Sequence, residues 1–335
     1  VLIDAPSSAT ATPLETEAEA VAAEAAGYDG FGASETRHDV FTALALAARA
    51  TSRISLQSSI AVAFARNPMS VAIHANDLQL ISGGRFQLGL GSQVRPHIVR
   101  RFNMPWSSPA ARMEEFVTAL RAIWSTWSSG ERLMFRGEFY EHTLMTDFFN
   151  PGPNPYGNPP IMLAGVGRLM TAVAGRSADG MLCHSLTTES YLRELTLPVL
   201  REARGGSLNG FTVGLPALVV LGADEKERTV AERAVRERIA FYASTPSYLP
   251  VLEHHGWGDL HKRLTNMSRR GEWEAMGAEI DDAVLDAFAV SGDAKQVATA
   301  LSDRFGSVVD RLSLYLPYSA RPELVGATAQ ALRTF

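Results

Sequence analysis

The chain has 335 residues, 46% hydrophobic and 20% charged, with a formal net charge of −5. These proportions suit a folded protein with a sizeable core, and the acidic balance with only short arginine clusters argues against a general nucleic-acid or anionic-membrane role. The single cysteine, Cys183, excludes an internal disulfide framework. No apolar run reaches the roughly 20 residues of a membrane helix, and the VLIDA start has no basic or signal-like stretch, so a cytoplasmic location is expected.

In chain order, Val1–Ala5 reads as a first strand, closed by Pro6. The Ala- and Glu-rich run Thr16–Ala26 is a helix ended by Gly27. Tyr28–Ala33 is a second strand, followed by the polar cluster Ser34, Glu35, Thr36, Arg37 and His38. Asp39 caps a helix carrying Val40, Phe41, Leu44 and Ala48 on one face. ISLQSSIAVA, from Ile54, is a third strand. Pro68 then opens a helix with Met69, Ile73, Leu78 and Ile81 at helical spacing, stopped by Gly83 and Gly84. Arg85–Leu90 is a fourth strand, and Gly89 and Gly91 near its end let a neighbour approach the backbone. The polar loop beyond it holds Ser92, Gln93, Arg95, His97, Arg100 and Arg101. A helix with Met113, Phe116, Leu120, Ile123, Trp124 and Trp127 as core residues comes next.

Residues 128–160 break the rhythm, ending in the proline-rich 150–160 stretch that cannot be helical. The alternation resumes with a strand at Ile161–Ala164, a helix opened by GVGR (Gly165–Arg168), and a strand at Gly180–Cys183 with His184, Ser185 and Thr187 beyond it. A helix kinked by Pro198 covers Glu189–Arg204. Phe211–Leu221 is a long strand, followed by a helix with Val230, Ala234, Val235 and Ile239 on one face. Residues 246–285 form a second, partly helical excursion. Asp293–Phe305 is a helix, Leu312, Leu314 and Leu316 mark a last strand, and Pro322–Phe335 closes the chain as a helix. Eight strands, each followed by a helical segment, fit a (β/α)8 TIM barrel of α/β class with two insertions, spanning 1–335 as a single domain. A doubly wound open sheet switching near Leu163 is the alternative.

A barrel carries its chemistry where strands end. The polar groups there are Glu35, Thr36 and His38, then Ser58 and Ser59 within strand three, Ser92–Arg95, Gly165–Arg168, and His184. GVGR at a helix start suits a phosphate, although a lone GxG is also an ordinary tight turn. Glu35 is a candidate acid or base, or a plain helix-end carboxylate; His184 is a candidate hydrogen-bond partner for substrate, or a satisfied rim histidine. No metal-ligand spacing and no GxSxG elbow appear, so neither a metal site nor a serine hydrolase is expected.

ISGGRFQLGLGS, followed by RFNMP and ARMEEFVTALRAIW, resembles the luciferase-like monooxygenase superfamily, as does FAVSGDAKQVATALSDRFGSVVDRLSLYLPY near the C-terminus. SETRHD, AVAFARNPMS and GSQVRPHIVRRFNMPW are most similar to a branch of deazaflavin (coenzyme F420)-dependent oxidoreductases of actinobacterial type. The resemblance implies a (β/α)8 barrel, a homodimer, and a deazaflavin or flavin across the mouth. It implies a cis peptide at Ser59–Ile60 behind the ring, a phosphate on the backbone of Gly165, Val166, Gly167 and Arg168, and Ser92 and Gln93 near the ring or ribityl chain. Thr36, Ser58 and Ala164 complete the expected cofactor contacts. Relatives carry Asp-His after strand two where this chain has Glu35-Thr36, with His38 two residues on. The expected chemistry is hydride transfer between C5 of F420 and a carbon of a small organic substrate, with Glu35 as proton donor or acceptor and His38 or His184 assisting. The alternatives are an FMN-dependent monooxygenase served by a separate flavin reductase, and a non-catalytic flavin-binding relative.

Overall fold

The computed structural model describes residues 1–334. Its strands are β1 (Leu2–Pro6), β2 (Gly30–Ala33), β3 (Ser55–Ser58), β4 (Ala61–Val62), β5 (Phe86–Gly91), β6 (Phe135–Arg136), β7 (Glu141–His142), β8 (Ile161–Ala164), β9 (Gly180–Leu182), β10 (Thr212–Leu221), β11 (Ala289–Gly292) and β12 (Arg311–Tyr315). The helices that cross between barrel strands are α1 (Pro13–Ala25), α2 (Val40–Ala50), α3 (Pro68–Ser82), α4 (Pro109–Ser129), α5 (Arg168–Ser177), α6 (Glu189–Tyr191) and α7 (Leu197–Ala203). Five more, α8 (Glu225–Ala243), α9 (Leu249–His254), α10 (Gly258–Arg270), α11 (Trp273–Met276) and α12 (Asp282–Phe288), precede α13 (Ala294–Phe305) and α14 (Pro322–Leu332). Phe335, the last residue of the expected closing helix, lies outside the described residues.

The main sheet is parallel and runs β10-β12-β1-β2-β3-β5-β8-β9, and β9 pairs back onto β10 through Gly180↔Thr212. That pairing closes an eight-stranded (β/α)8 barrel and removes the open-sheet alternative. The outward faces of the strands carry Ile3, Phe31, Leu56, Leu88, Leu163 and Leu312, all buried under the helices in one core. The inward face is unusually polar and small. At its N-terminal end Arg311 donates to Asp4 at 2.5 and 2.8 Å and to Ser55 Oγ at 2.8 Å. Gly30 makes room for that cluster, since a Cβ there would collide with Arg311 and Asp4. One layer higher, Gln57 donates to Gln87 at 2.9 Å.

Four elements differ from the sequence reading. The expected third strand is interrupted: β3 and β4 flank a cis peptide at Ser59–Ile60. On α3 the buried face is Val71, Ala72, Ala75 and Leu78, while Ile73 and Ile81 are exposed, because small residues let this helix sit close to its neighbours. Val230 is likewise exposed, and Ala231, Val235 and Ile239 form the buried stripe of α8. Pro198 cannot donate to the carbonyl of Glu194, and a π turn over Leu192–Thr196 absorbs the lost bond.

The first insertion is the β6–β7 antiparallel hairpin with its proline-rich return. The second is mainly helical. Helices α8–α12 pack around their own apolar cluster, which includes Leu218 and Val220 of β10. β11 pairs with the outer half of β10 through Leu218↔Ala289 and Leu221↔Gly292, and had no counterpart in the sequence reading.

Candidate active site

The C-terminal ends of β2 and β3 are stitched together at the barrel mouth. Ser34 Oγ donates to the Ser59 carbonyl at 2.8 Å, and the Glu35 N–H donates to the Ile60 carbonyl at 3.2 Å. The Glu35 carboxylate receives the Val62 N–H at 2.7 Å and both Arg66 Nη groups at 2.8 Å. Arg66 also reaches Asp39 at 2.6 Å, and the side chains of Glu35 and Arg66 are only 7% and 16% exposed. A bidentate pair of this kind is strong and directional. Both oxygens of Glu35, the candidate acid or base, are engaged, and the side chain ties the Ser59–Val62 segment to Arg66.

Ser58 is fully buried; its hydroxyl donates to the Gly89 carbonyl at 2.8 Å and accepts the Gly89 N–H at 2.9 Å. Its side chain therefore joins two strands, so what Ser58 offers the mouth is its backbone. Thr36 uses its hydroxyl on the Ala9 carbonyl, and its own carbonyl receives Arg101 Nη2 at 2.7 Å. His38 is exposed on the rim.

Small residues line the mouth beside this clamp. A Cβ on Gly89 would strike the Ser58 carbonyl, one on Gly91 would stand 2.9 Å from Ile60 Cδ1, and one on Gly32 would stand 3.3 Å from Ser59 Cβ. The backbone of β5 is thus held against the Ser58–Ile60 segment, and nothing bulky projects from these positions. Ser92 and Gln93 follow β5, partly buried. The loop from 92 to 108 holds the three non-glycine residues with left-handed backbone among the described residues, Gln93, Asn103 and Ser108. Across the mouth, Ala164 ends β8 and Gly167 precedes α5 with φ 78° and no side chain to cap it. The first-turn N–H groups of α5 are left for a ligand or water. Gly165, Val166, Gly167, Cys183 and His184 line a small recess there. The Arg168 side chain turns away to Glu202 at 2.9 Å, so its contribution is its backbone.

His184 stands inside the mouth after β9. Its Nδ1 accepts the Leu186 N–H at 3.0 Å, which places the proton of the neutral ring on Nε2. The ring meets Tyr242 edge-on at 4.5 Å and Tyr248 at a tilt, also at 4.5 Å, and Tyr242 shares a 3.0 Å hydroxyl contact with Tyr315. Burial in this wall pushes the His184 pKa down to about 4. Its Nε2–H makes no hydrogen bond to the described residues and is a neutral donor for an oxygen in the mouth.

Glu35, Ser59, Ile60, Gly89 and Gly91 are thus brought together on one side of the mouth, and Ala164–Arg168 with His184 on another. The sequence reading missed Arg66, Tyr242, Tyr248 and Tyr315. Tyr315 had a signal, since it alternates with Leu312 and Leu314 and so faces inward with Ser313. Among the described residues no group of three or more His, Cys, Asp or Glu is placed to hold a metal ion, and no helix is long and apolar enough to cross a membrane.

A closed parallel barrel with a glycine-lined, hydrogen-bonding mouth at its strand ends is of the (β/α)8 class. The chain belongs to the luciferase-like monooxygenase family, whose model matches residues 3–311. A Mycobacterium tuberculosis protein of uncharacterized function is 50% identical over 317 residues, covering 94% of this chain and 93% of that one. The 5,10-methylenetetrahydromethanopterin reductase of Archaeoglobus fulgidus is 25% identical over 291 residues, covering 84% and 83%. Among solved structures, the coenzyme F420-dependent tetrahydromethanopterin reductase of Methanopyrus kandleri has a TM-score of 0.81 at 18% identity, covering 100% of this chain and 99% of that one. A monooxygenase of Streptomyces bottropensis has a TM-score of 0.68 at 20% identity, covering 100% and 98%.

Proposed function

We propose that the chain is an F420-dependent oxidoreductase acting on a small organic substrate whose reacting carbon bears an oxygen. The observation that carries the reading is His184, a neutral imidazole with an unengaged Nε2–H inside a mouth otherwise lined by backbone and small side chains. Such a donor orients a carbonyl or hydroxyl oxygen and stabilises negative charge developing on it. Coenzyme F420, when bound, supplies the carbon that gives or takes the hydride. The residues fit such a group. The close-set backbone at Ser58–Ile60 and Gly89–Gly91 offers a wall on which Ser59 and Ile60 are the side chains beside the glycines, and the uncapped first turn of α5 at Gly165–Arg168 suits the phosphate of its tail. Glu35 and Arg66 hold the wall, and Ser92, Gln93 and Thr36 border it. Tyr242, Tyr248 and Tyr315 keep water from His184. The F420-dependent structural neighbour supports the choice of deazaflavin.

The test is a titration of the purified chain with F420 and with FMN, followed by turnover over a panel of alcohols and carbonyls. F420 should bind at least tenfold more tightly than FMN, and His184→Phe should cut kcat while F420 affinity is kept. Tight FMN binding without F420 binding would overturn the reading in favour of a two-component monooxygenase.

A further inference from the structure

A second recess, of about 340 Å³, opens between α8, α11 and the turn after β12. That volume is within the range of small-molecule pockets. Phe241, Trp273, Met276 and Pro317 form its apolar walls. Phe241 and Trp273 are 45% and 50% exposed, although each is a large aromatic side chain. Their ring centroids stand 6.0 Å apart with planes at 49°, an open wedge and not a closed stack.

Arg238 lines the same recess. Its guanidinium lies 6.0 Å from the Phe241 ring centroid and 5.7 Å from that of Tyr242. It forms no ion pair with the described residues. The contrast with its own helix is sharp: Arg233 holds Glu237 at 2.9 Å, and Arg236 holds Glu232 at 2.7 Å and Asp282 at 2.5 Å. Glu237, the carboxylate nearest along the helix, is therefore already matched, and Glu274 stands exposed on the α11 rim. What remains is a planar cation without an ion pair, backed by aromatic faces and flanked by two exposed rings, with the carboxylate of Glu274, which also has no ion pair among the described residues, at the rim. A guanidinium in that setting matches a carboxylate, and the rings match a flat apolar body.

We propose that this recess binds a small aromatic carboxylate, its ring against Trp273 and Phe241 and its carboxylate on Arg238. Tyr242 lies under Arg238 and also against His184, so an occupant rests one ring away from the barrel mouth. The proposal does not rest on the F420 reading, and the measurement below is made without cofactor so that the two fail separately.

The experiment is calorimetric titration of the full chain with indole-3-acetate and with its neutral amide. The acetate should bind one to one and at least tenfold more tightly than the amide. Arg238→Gln should weaken the acetate about tenfold and leave the amide unchanged, and Arg238→Lys should recover part of the loss. Trp273→Leu should weaken both ligands. All variants should still unfold in one cooperative thermal transition well above the assay temperature, which separates lost binding from lost folding. Equal affinity of the wild type for acetate and amide, unchanged acetate binding by Arg238→Gln, or no heat with either ligand at millimolar concentration would each overturn the proposal.

Discussion

Replacing Glu35 by Gln keeps the size of the side chain and removes its charge. The amide oxygen still accepts the Val62 N–H, but one of the two Arg66 bonds is lost, and Arg66 retains Asp39 at 2.6 Å. Breaking a largely buried pair by removing one partner costs about 3–5 kcal/mol, and the surviving Asp39 contact and Val62 bond bring the expectation here to about 1–3 kcal/mol. Urea denaturation of wild type, Glu35→Gln, Arg66→Met and the double variant measures this, and the cycle should return a coupling of about 1–2 kcal/mol. On the proposed F420 reading, the variant should bind F420 more weakly, because the Ser59–Val62 wall loosens, with the shape of the kcat–pH profile unchanged. A variant of wild-type stability and wild-type F420 affinity that loses one limb of that profile would refute the clamp and restore Glu35 as the acid–base group.

His184 titrates at about 4 in the fold against about 6.5 in the unfolded chain. The unfolded state alone takes up a proton between those values, so stability falls as pH drops from 6.5 toward 4, by up to about 3 kcal/mol. Urea midpoints from pH 8 to 4 should show this loss, and His184→Phe should flatten it; an imidazole NMR midpoint near 6.5 would refute the neutral donor. Gly89→Ala must displace the Ser58 backbone and should lower stability by about 3 kcal/mol or prevent folding, whereas Gly91→Ala meets the Ile60 side chain at Cγ1 and Cδ1 and should cost less, about 1–2 kcal/mol by thermal melting. Asp4→Ala should cost about 3–5 kcal/mol by leaving Arg311 unmatched inside the barrel, and Asp4→Leu combined with Arg311→Met should cost less than either single change in chemical denaturation.

The barrel was legible because its signals are local. Asp39 at the head of α2 and Gly83 in left-handed geometry at the end of α3 stand where their neighbours predict. The start of α1 was legible too but overlooked: Thr12 and Glu15 form a capping box with Pro13 between them, so the helix begins three residues before the Ala-rich run. The site was legible only as a set of strand ends. Arg66 reaches Glu35 from 31 residues away, and Tyr242 meets His184 across 58, and no periodicity reports such meetings. Family resemblance placed the cis peptide at Ser59–Ile60, which residue pattern alone left inside a continuous strand. β11 escaped because AVSG is short, ends in glycine and follows directly on α12.

β10 continues past the barrel, and its outer half is paired with β11. The chain therefore leaves the barrel after Leu221 and returns at Ala289 as the hydrogen-bonded neighbour of Leu218. Leu221 pairs with Gly292 and Ala289 with Leu218, so residues 222–288 leave and return on neighbouring strands, their two anchors one strand apart and three residues along, about 11 Å from each other. A segment tied down in that way is exchangeable: its length and contents can change without moving the barrel ends that hold it. Tyr242, Tyr248, Arg238 and Trp273 all ride on it. Evolution, or a designer grafting a cassette, can rewrite what the mouth accepts while the strands beneath keep their register.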